Sequence, residues 1–60
     1  MDKLRALQYL AAAAAEGSFS AAARSLEVSV PAVMKSINAL ERELGTRLFD
    51  RTPRGLSALF

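Results

Sequence analysis

Three arginines, Arg47, Arg51 and Arg54, stand near the end of this 60-residue chain with Asp50 as the lone acid among them. A guanidinium presents five N–H donors in a planar fork that fits a phosphate or a carboxylate. Residues 1–45, by contrast, balance five basic side chains against five acidic ones, so the net charge of +2 lies wholly in the last fifteen residues. Lys35, Asn38 and Arg42 recur at i, i+3 and i+7, the spacing that puts them on one side of a helix. Taken alone, each group is ordinary solvated charge. Together they offer two places at which a polyanion can be held.

Other chemistry is excluded by what is missing. The chain has no cysteine and no histidine, which removes disulfides, thiolate metal sites, the usual zinc ligands and the usual general base. Ser18, Ser20, Ser25, Ser29, Ser36 and Ser57 have no imidazole to activate them. Glu41 and Glu43 lie two apart and diverge on a helix, so they make no acid–base pair. The expectation is a protein that is not an enzyme and holds no cofactor and no metal. No apolar run approaches the roughly 20 residues of a membrane span, and Met1-Asp2-Lys3 does not open a secretory signal. A cytoplasmic protein with no membrane partner is expected. Sixty residues allow one domain with a compact core and no large cavity.

The basic groups need elements to carry them. In DKLRALQYLAAAAAEG, Leu4, Leu7, Ala11 and Ala14 fall at helical spacing and Gly17 is a stop, predicting a helix over about 2–16 whose alanines let neighbouring helices approach closely. Gly17-Ser18-Phe19-Ser20 holds two candidate caps. Ser20, directly before AAARSL, predicts a short helix over about 21–26, with Phe19 as a staple at its start. Glu27-Val28-Ser29 is a turn. Ser29 then caps a third helix over about 30–44, with Pro31 in its first turn and Gly45 as its stop. Val33, Ile37, Leu40 and Leu44 form its apolar stripe, while Lys35, Asn38 and Arg42 lie opposite, beside Pro31 and Ala39. Val30 and Met34 fall on the flank, where core and contact are both open to them.

After Gly45 the pattern becomes TRLFDRTPRGLSALF. Thr52-Pro53-Arg54-Gly55 has turn chemistry between β-compatible stretches, predicting a hairpin over about 47–59 with an arginine-bearing tip that leans on the helices through Leu48 or Phe49 and Leu56. The fold class expected is mainly α: three helices, the last two forming a helix-turn-helix, then a small β-hairpin wing. In that arrangement Ala22 and Ala23 let the paired helices pack closely, and Leu26, Val28, Val33 and Ile37 fill the gap. The third helix can then enter a DNA major groove, while arginines at the hairpin tip contact phosphates or the minor groove.

GSFSAAARSLEVSVPAV (Gly17 to Val33) and INALERELGTRLFDRTPRG (Ile37 to Gly55) resemble the N-terminal winged helix-turn-helix domain of the LysR-type transcriptional regulators. The order LE-x-ELG-x-RLF-x-R from Leu40 to Arg51 is the most specific part. The resemblance implies sequence-specific binding of double-stranded DNA by a bacterial regulator that acts as a homodimer or tetramer. It also implies a dimerising linker helix and a C-terminal domain for a small-molecule effector, both beyond Phe60, so that the chain looks like an isolated domain.

The family's third helix commonly begins Ser-Gln-Pro-Ala-Leu-Ser-Arg, where this chain has Ser29-Val30-Pro31-Ala32-Val33-Met34-Lys35. Lys35 keeps the charge of the arginine without its fork. Val30 and Met34 replace a glutamine and a serine, pointing to apolar contacts, for instance with thymine methyl groups. The family's Leu-Thr pair after the wing is also missing here, replaced by Ala58-Leu59-Phe60. The candidate DNA-binding residues are Ser20, Ser29, Val30, Pro31, Met34, Lys35, Asn38, Arg51, Thr52 and Arg54. A different class of function, a helical protein-interaction or dimerisation module without DNA binding, would use the alanine-rich first helix. It calls for apolar clusters outside the core, whereas the bases here gather on the third helix and the hairpin.

Overall fold

The computed structural model describes residues 2–60. Helix α1 spans Lys3–Glu16, α2 Phe19–Leu26 and α3 Val30–Leu44; strands β1 (Phe49–Thr52) and β2 (Gly55–Ala58) follow. The two strands pair antiparallel in the register Phe49↔Ala58 through Thr52↔Gly55, leaving Pro53 and Arg54 as the tip. The three helices pack on one another, and β2 lies against α1. The fold is mainly helical, with a two-stranded hairpin as its wing.

Each helix begins on a side-chain cap. The carboxylate of Asp2 accepts from the amide of Arg5 at 3.2 Å, the hydroxyl of Ser18 from Ala21 at 2.9 Å, and that of Ser29 from Ala32 at 3.2 Å. Each such bond satisfies a donor that the first turn of a helix leaves without a partner. Ser18, not Ser20, is therefore the cap of α2, and the helix starts two residues earlier than its alanines suggested. The cause is Gly17: its left-handed φ of 73° ends α1 and turns the chain so sharply that Ser18 is already extended and ready to cap. Phe19 is consequently the first residue of α2, not a staple ahead of it.

The core comprises Ala6, Ala13, Ala22, Ala23, Val33, Ile37, Leu40, Leu48 and Phe49. Tyr9, Leu10, Phe19, Leu26, Val28, Val30 and Leu56 pack on it, half-buried. Two apolar stripes come out differently from their spacing. On α1 the buried face is Ala6, Tyr9, Leu10 and Ala13, whereas Leu4, Leu7, Ala11 and Ala14 are exposed, Leu4 by 68%. Helix α1 is apolar on nearly every side, so two stripes satisfy the same period. The stripe that wins has Ala6 and Ala13, which share one buried cluster with Ala22 and Ala23 of α2, where small side chains allow a close crossing. On α3 the stripe stops at Leu40: Leu44, in the last turn, is 57% exposed.

The α2–α3 turn closes on Glu27, at φ 59° the one non-glycine residue with positive φ among those described. Its backbone N–H reaches Ala23 and Arg24, and Val28 donates to Ala23 at 3.0 Å. These bonds offset the steric cost of about 1–2 kcal/mol that a side chain incurs in left-handed backbone.

Candidate nucleic-acid interface

Helix α3 reaches the surface along one side. Pro31, Met34, Lys35, Asn38, Ala39 and Arg42 line a single open hollow there. Pro31, Lys35, Asn38 and Arg42 are exposed and Met34 half-buried, while Val33 and Ile37 anchor the opposite face in the core. Ser29 sits at the amide end of α3, its hydroxyl occupied by the cap. The helix dipole places partial positive charge at that end, where an anion is favoured. Asp2, Arg5, Lys35, Ser36 and Ala39 share a neighbouring hollow, so Arg5, which spacing alone did not single out, extends the basic surface onto the start of α1.

A second groove runs between the helix-turn-helix and the wing, lined by Ser18, Phe19, Ser20, Val30, Arg51, Thr52, Gly55 and Leu56. It gathers the start of α2, the start of α3 and both strands. Ser20, free of the capping role expected for it, is exposed on this groove. Val30 turns one side to the core and the other to the groove.

The wing's arginines have different surroundings. Arg47 is used locally: its Nη2 donates to the carbonyl of Phe49 at 3.0 Å and lies 3.9 Å from Asp50. Arg51 has its guanidinium carbon 5.2 Å from the centroid of the Phe19 ring, a cation–π stack that leaves the N–H edges free. Phe19 in turn meets Phe49 edge to face at 6.0 Å. No sequence pattern pairs Phe19 with Arg51, which lie 32 positions apart. Arg54 is exposed at the tip, and its amide donates to Thr52 Oγ1 at 3.3 Å while that hydroxyl donates to the carbonyl of Gly55 at 3.0 Å. Thr52 thus stiffens the turn that carries Arg54. Among the described residues the ion pairs are Lys3–Glu43 and Arg47–Asp50, and neither takes up Lys35, Arg42, Arg51 or Arg54.

The arrangement is an exposed, basic helix face beside a basic hairpin, with a groove between the starts of α2 and α3 and the strands. Such a shape can meet a duplex at two adjacent levels: a helix fits the roughly 12 Å major groove, and arginines from a loop reach phosphates beside it. Two aligned carboxylates or a nucleophile with a base, which catalysis would need, are not brought together among the described residues. No helix of the described residues is long and apolar enough to cross a membrane.

Comparison with known proteins gives consistent matches. The lysR family of bacterial regulatory helix-turn-helix proteins matches residues 4–59. The HTH-type transcriptional regulator TfdS of Cupriavidus pinatubonensis is 50% identical over 54 residues, which make up 90% of this chain and 18% of that protein. ClcR of Pseudomonas putida is 48% identical over the same shares of the two chains. Among solved structures, full-length CbnR, a LysR family transcriptional regulator, superposes with a TM-score of 0.86 at 41% identity, over 90% of this chain and 19% of that one. The CbnR DNA-binding domain in its DNA complex gives 0.85 at 41% identity, over 90% and 62%. The present chain spans about a fifth of the length of the curated relatives it matches.

Proposed function

The chain belongs to the LysR family of bacterial helix-turn-helix regulators, and on that premise we propose that it binds double-stranded DNA sequence-specifically, with α3 in the major groove and the wing on the adjacent backbone or minor groove. The observation that carries this reading is a set of exposed cations that no ion pair among the described residues takes up: Lys35 and Arg42 on α3, Arg51 and Arg54 on the wing. The family is one of regulators, and the chain is not an enzyme.

The residues divide by role. Lys35, Asn38, Val30, Pro31 and Met34 face base edges. Ser20, Ser29, Arg51, Thr52 and Arg54 flank them and hold phosphates, Ser29 and Thr52 through backbone geometry more than through their occupied hydroxyls. A regulator of this kind works in the bacterial cytoplasm, where its DNA is, and as a homodimer or tetramer in its longer form. The exposed Leu4 and Leu7 on α1 give such an assembly an apolar surface. A small-molecule effector would then act through a domain outside this chain.

The test is binding as a function of salt. Neutralising phosphates releases counterions, so log affinity should fall linearly with log salt, and each lost phosphate contact should lower the slope by about one. Lys35→Ala and Arg54→Ala should each weaken binding. Unchanged affinity in both variants would sink the assigned surface.

A further inference from the structure

Resting on that reading, we infer that Glu41 is a positioning residue for DNA recognition: its carboxylate sets where the wing stands relative to α3. Glu41 lies in the last turn of α3, half-buried, and is not among the residues that line the open hollow of Lys35 and Asn38. Its Oε2 accepts from the backbone N–H of Leu48 at 2.7 Å and of Phe49 at 3.3 Å. Its own carbonyl accepts from the amides of Gly45 and Thr46. One residue therefore ends the helix with its backbone and catches the first residues of the wing with its side chain. The chain reversal from Leu44 to Phe49 is wound around it.

The geometry points to positioning at the first strand, since the directional backbone tie of the wing, the amide of Leu56 on the carbonyl of Gly17 at 2.9 Å, holds the second strand to the α1–α2 turn and not the first to α3. Leu48 and Phe49 supply apolar contact, which is non-directional. The paired N–H bonds to a carboxylate are directional and charge-assisted. From Phe49 the strand leads two residues on to Arg51, stacked on Phe19, and then to the tip carrying Arg54. Lys35 stands six residues before Glu41 on the same helix, about 9 Å along its axis. The carboxylate thus ties both halves of the basic surface to one rigid reference. Glu41 touches no part of the proposed DNA path itself.

The experiment compares Glu41→Ala with Glu41→Gln, which keeps one acceptor oxygen, in the 60-residue chain. Without DNA, amide exchange at Leu48 and Phe49 should quicken roughly tenfold or more in the alanine variant relative to Ile37 and Leu40, because the wing opens without the helix. With a duplex at graded salt, the alanine variant should lose about one to two from the log–log slope. Adding Arg54→Ala to it should then change little, and the glutamine variant should recover most of the wild-type behaviour in both measurements. Equal quickening at all four amides, or a full slope with an additive Arg54→Ala effect, would overturn the inference and leave Glu41 as a general stabiliser. Should Glu41→Ala fail to fold, Glu41→Asp, whose shorter arm withdraws the carboxylate from both amides, takes its place: quickening at Leu48 and Phe49 beyond that at Ile37 and Leu40 supports the inference, and equal exchange at all four overturns it. Failure of the wild-type chain to bind any duplex at low salt would instead overturn the DNA reading, while the exchange measurement still decides the place of Glu41.

Discussion

A Cβ on Gly55 would stand 2.5 Å from the carbonyl oxygen of Gly17, the same oxygen to which the amide of Leu56 donates at 2.9 Å. The base of the wing is thus pressed backbone to backbone on the α1–α2 turn, and Gly55 is also at φ 127°, where side chains are rarely found. Gly55→Ala should destabilise the protein by roughly 1–3 kcal/mol through strain and displacement of the wing. Gly45, at φ 69° with open space around its Cα, should cost only about 1 kcal/mol on the same change. Urea unfolding of the two variants checks the order. Equal losses would mean the Gly17–Gly55 contact does not hold the wing.

Ser18 and Ser20 separate stability from binding. Ser18→Ala removes the cap of α2 and should cost about 1 kcal/mol, or about 4–8 °C of melting temperature for a domain of this size. Ser20→Ala should leave the melting temperature nearly unchanged and weaken DNA binding, since its hydroxyl faces the groove beside Arg51. Thermal melts and binding measured on both variants would show the two effects on different residues.

Val30 and Met34 should read thymine methyl groups. Replacing thymine by uracil in a bound duplex, one position at a time, should weaken binding about fourfold at each contacted methyl, equivalent to about 0.8 kcal/mol for one buried carbon. Val30→Gln and Met34→Ser should lose that sensitivity. Uniform indifference to uracil in the wild-type chain would show that these side chains serve the core alone.

What the sequence discloses follows the range of the interactions involved. Helix α3 carries its ends in its own letters: Ser29 caps, Pro31 fits the first turn, and Gly45 closes in left-handed backbone. The hairpin is legible for the same reason, since Thr52-Pro53-Arg54-Gly55 is a turn by local chemistry. The face of α1 is not, because a helix apolar on most sides satisfies the helical period twice, and only the alanines of α2 choose between the answers. Ser18 and Ser20 are equal as caps until the backbone of Gly17 is known. The stack of Arg51 on Phe19, the hold of Glu41 on Leu48 and the contact of Gly55 with Gly17 join residues from 7 to 38 positions apart. Each depends on three-dimensional closure that no local pattern encodes. The basic residues of the candidate interface were visible as types, whereas which arginine is free and which is tied, as Arg47 is to Asp50, belongs to the folded chain.

DNA binding through α3 and the wing is decided by a two-dimensional amide NMR titration of the chain with a short DNA duplex, first at low and then at moderate salt. Shifts are expected to concentrate from Ser29 to Asn38 and from Arg51 to Gly55, fading together as salt rises. Shifts confined to α1, with α3 and the wing tip unmoved, would contradict it and make the exposed Leu4 and Leu7 face the working surface of the molecule.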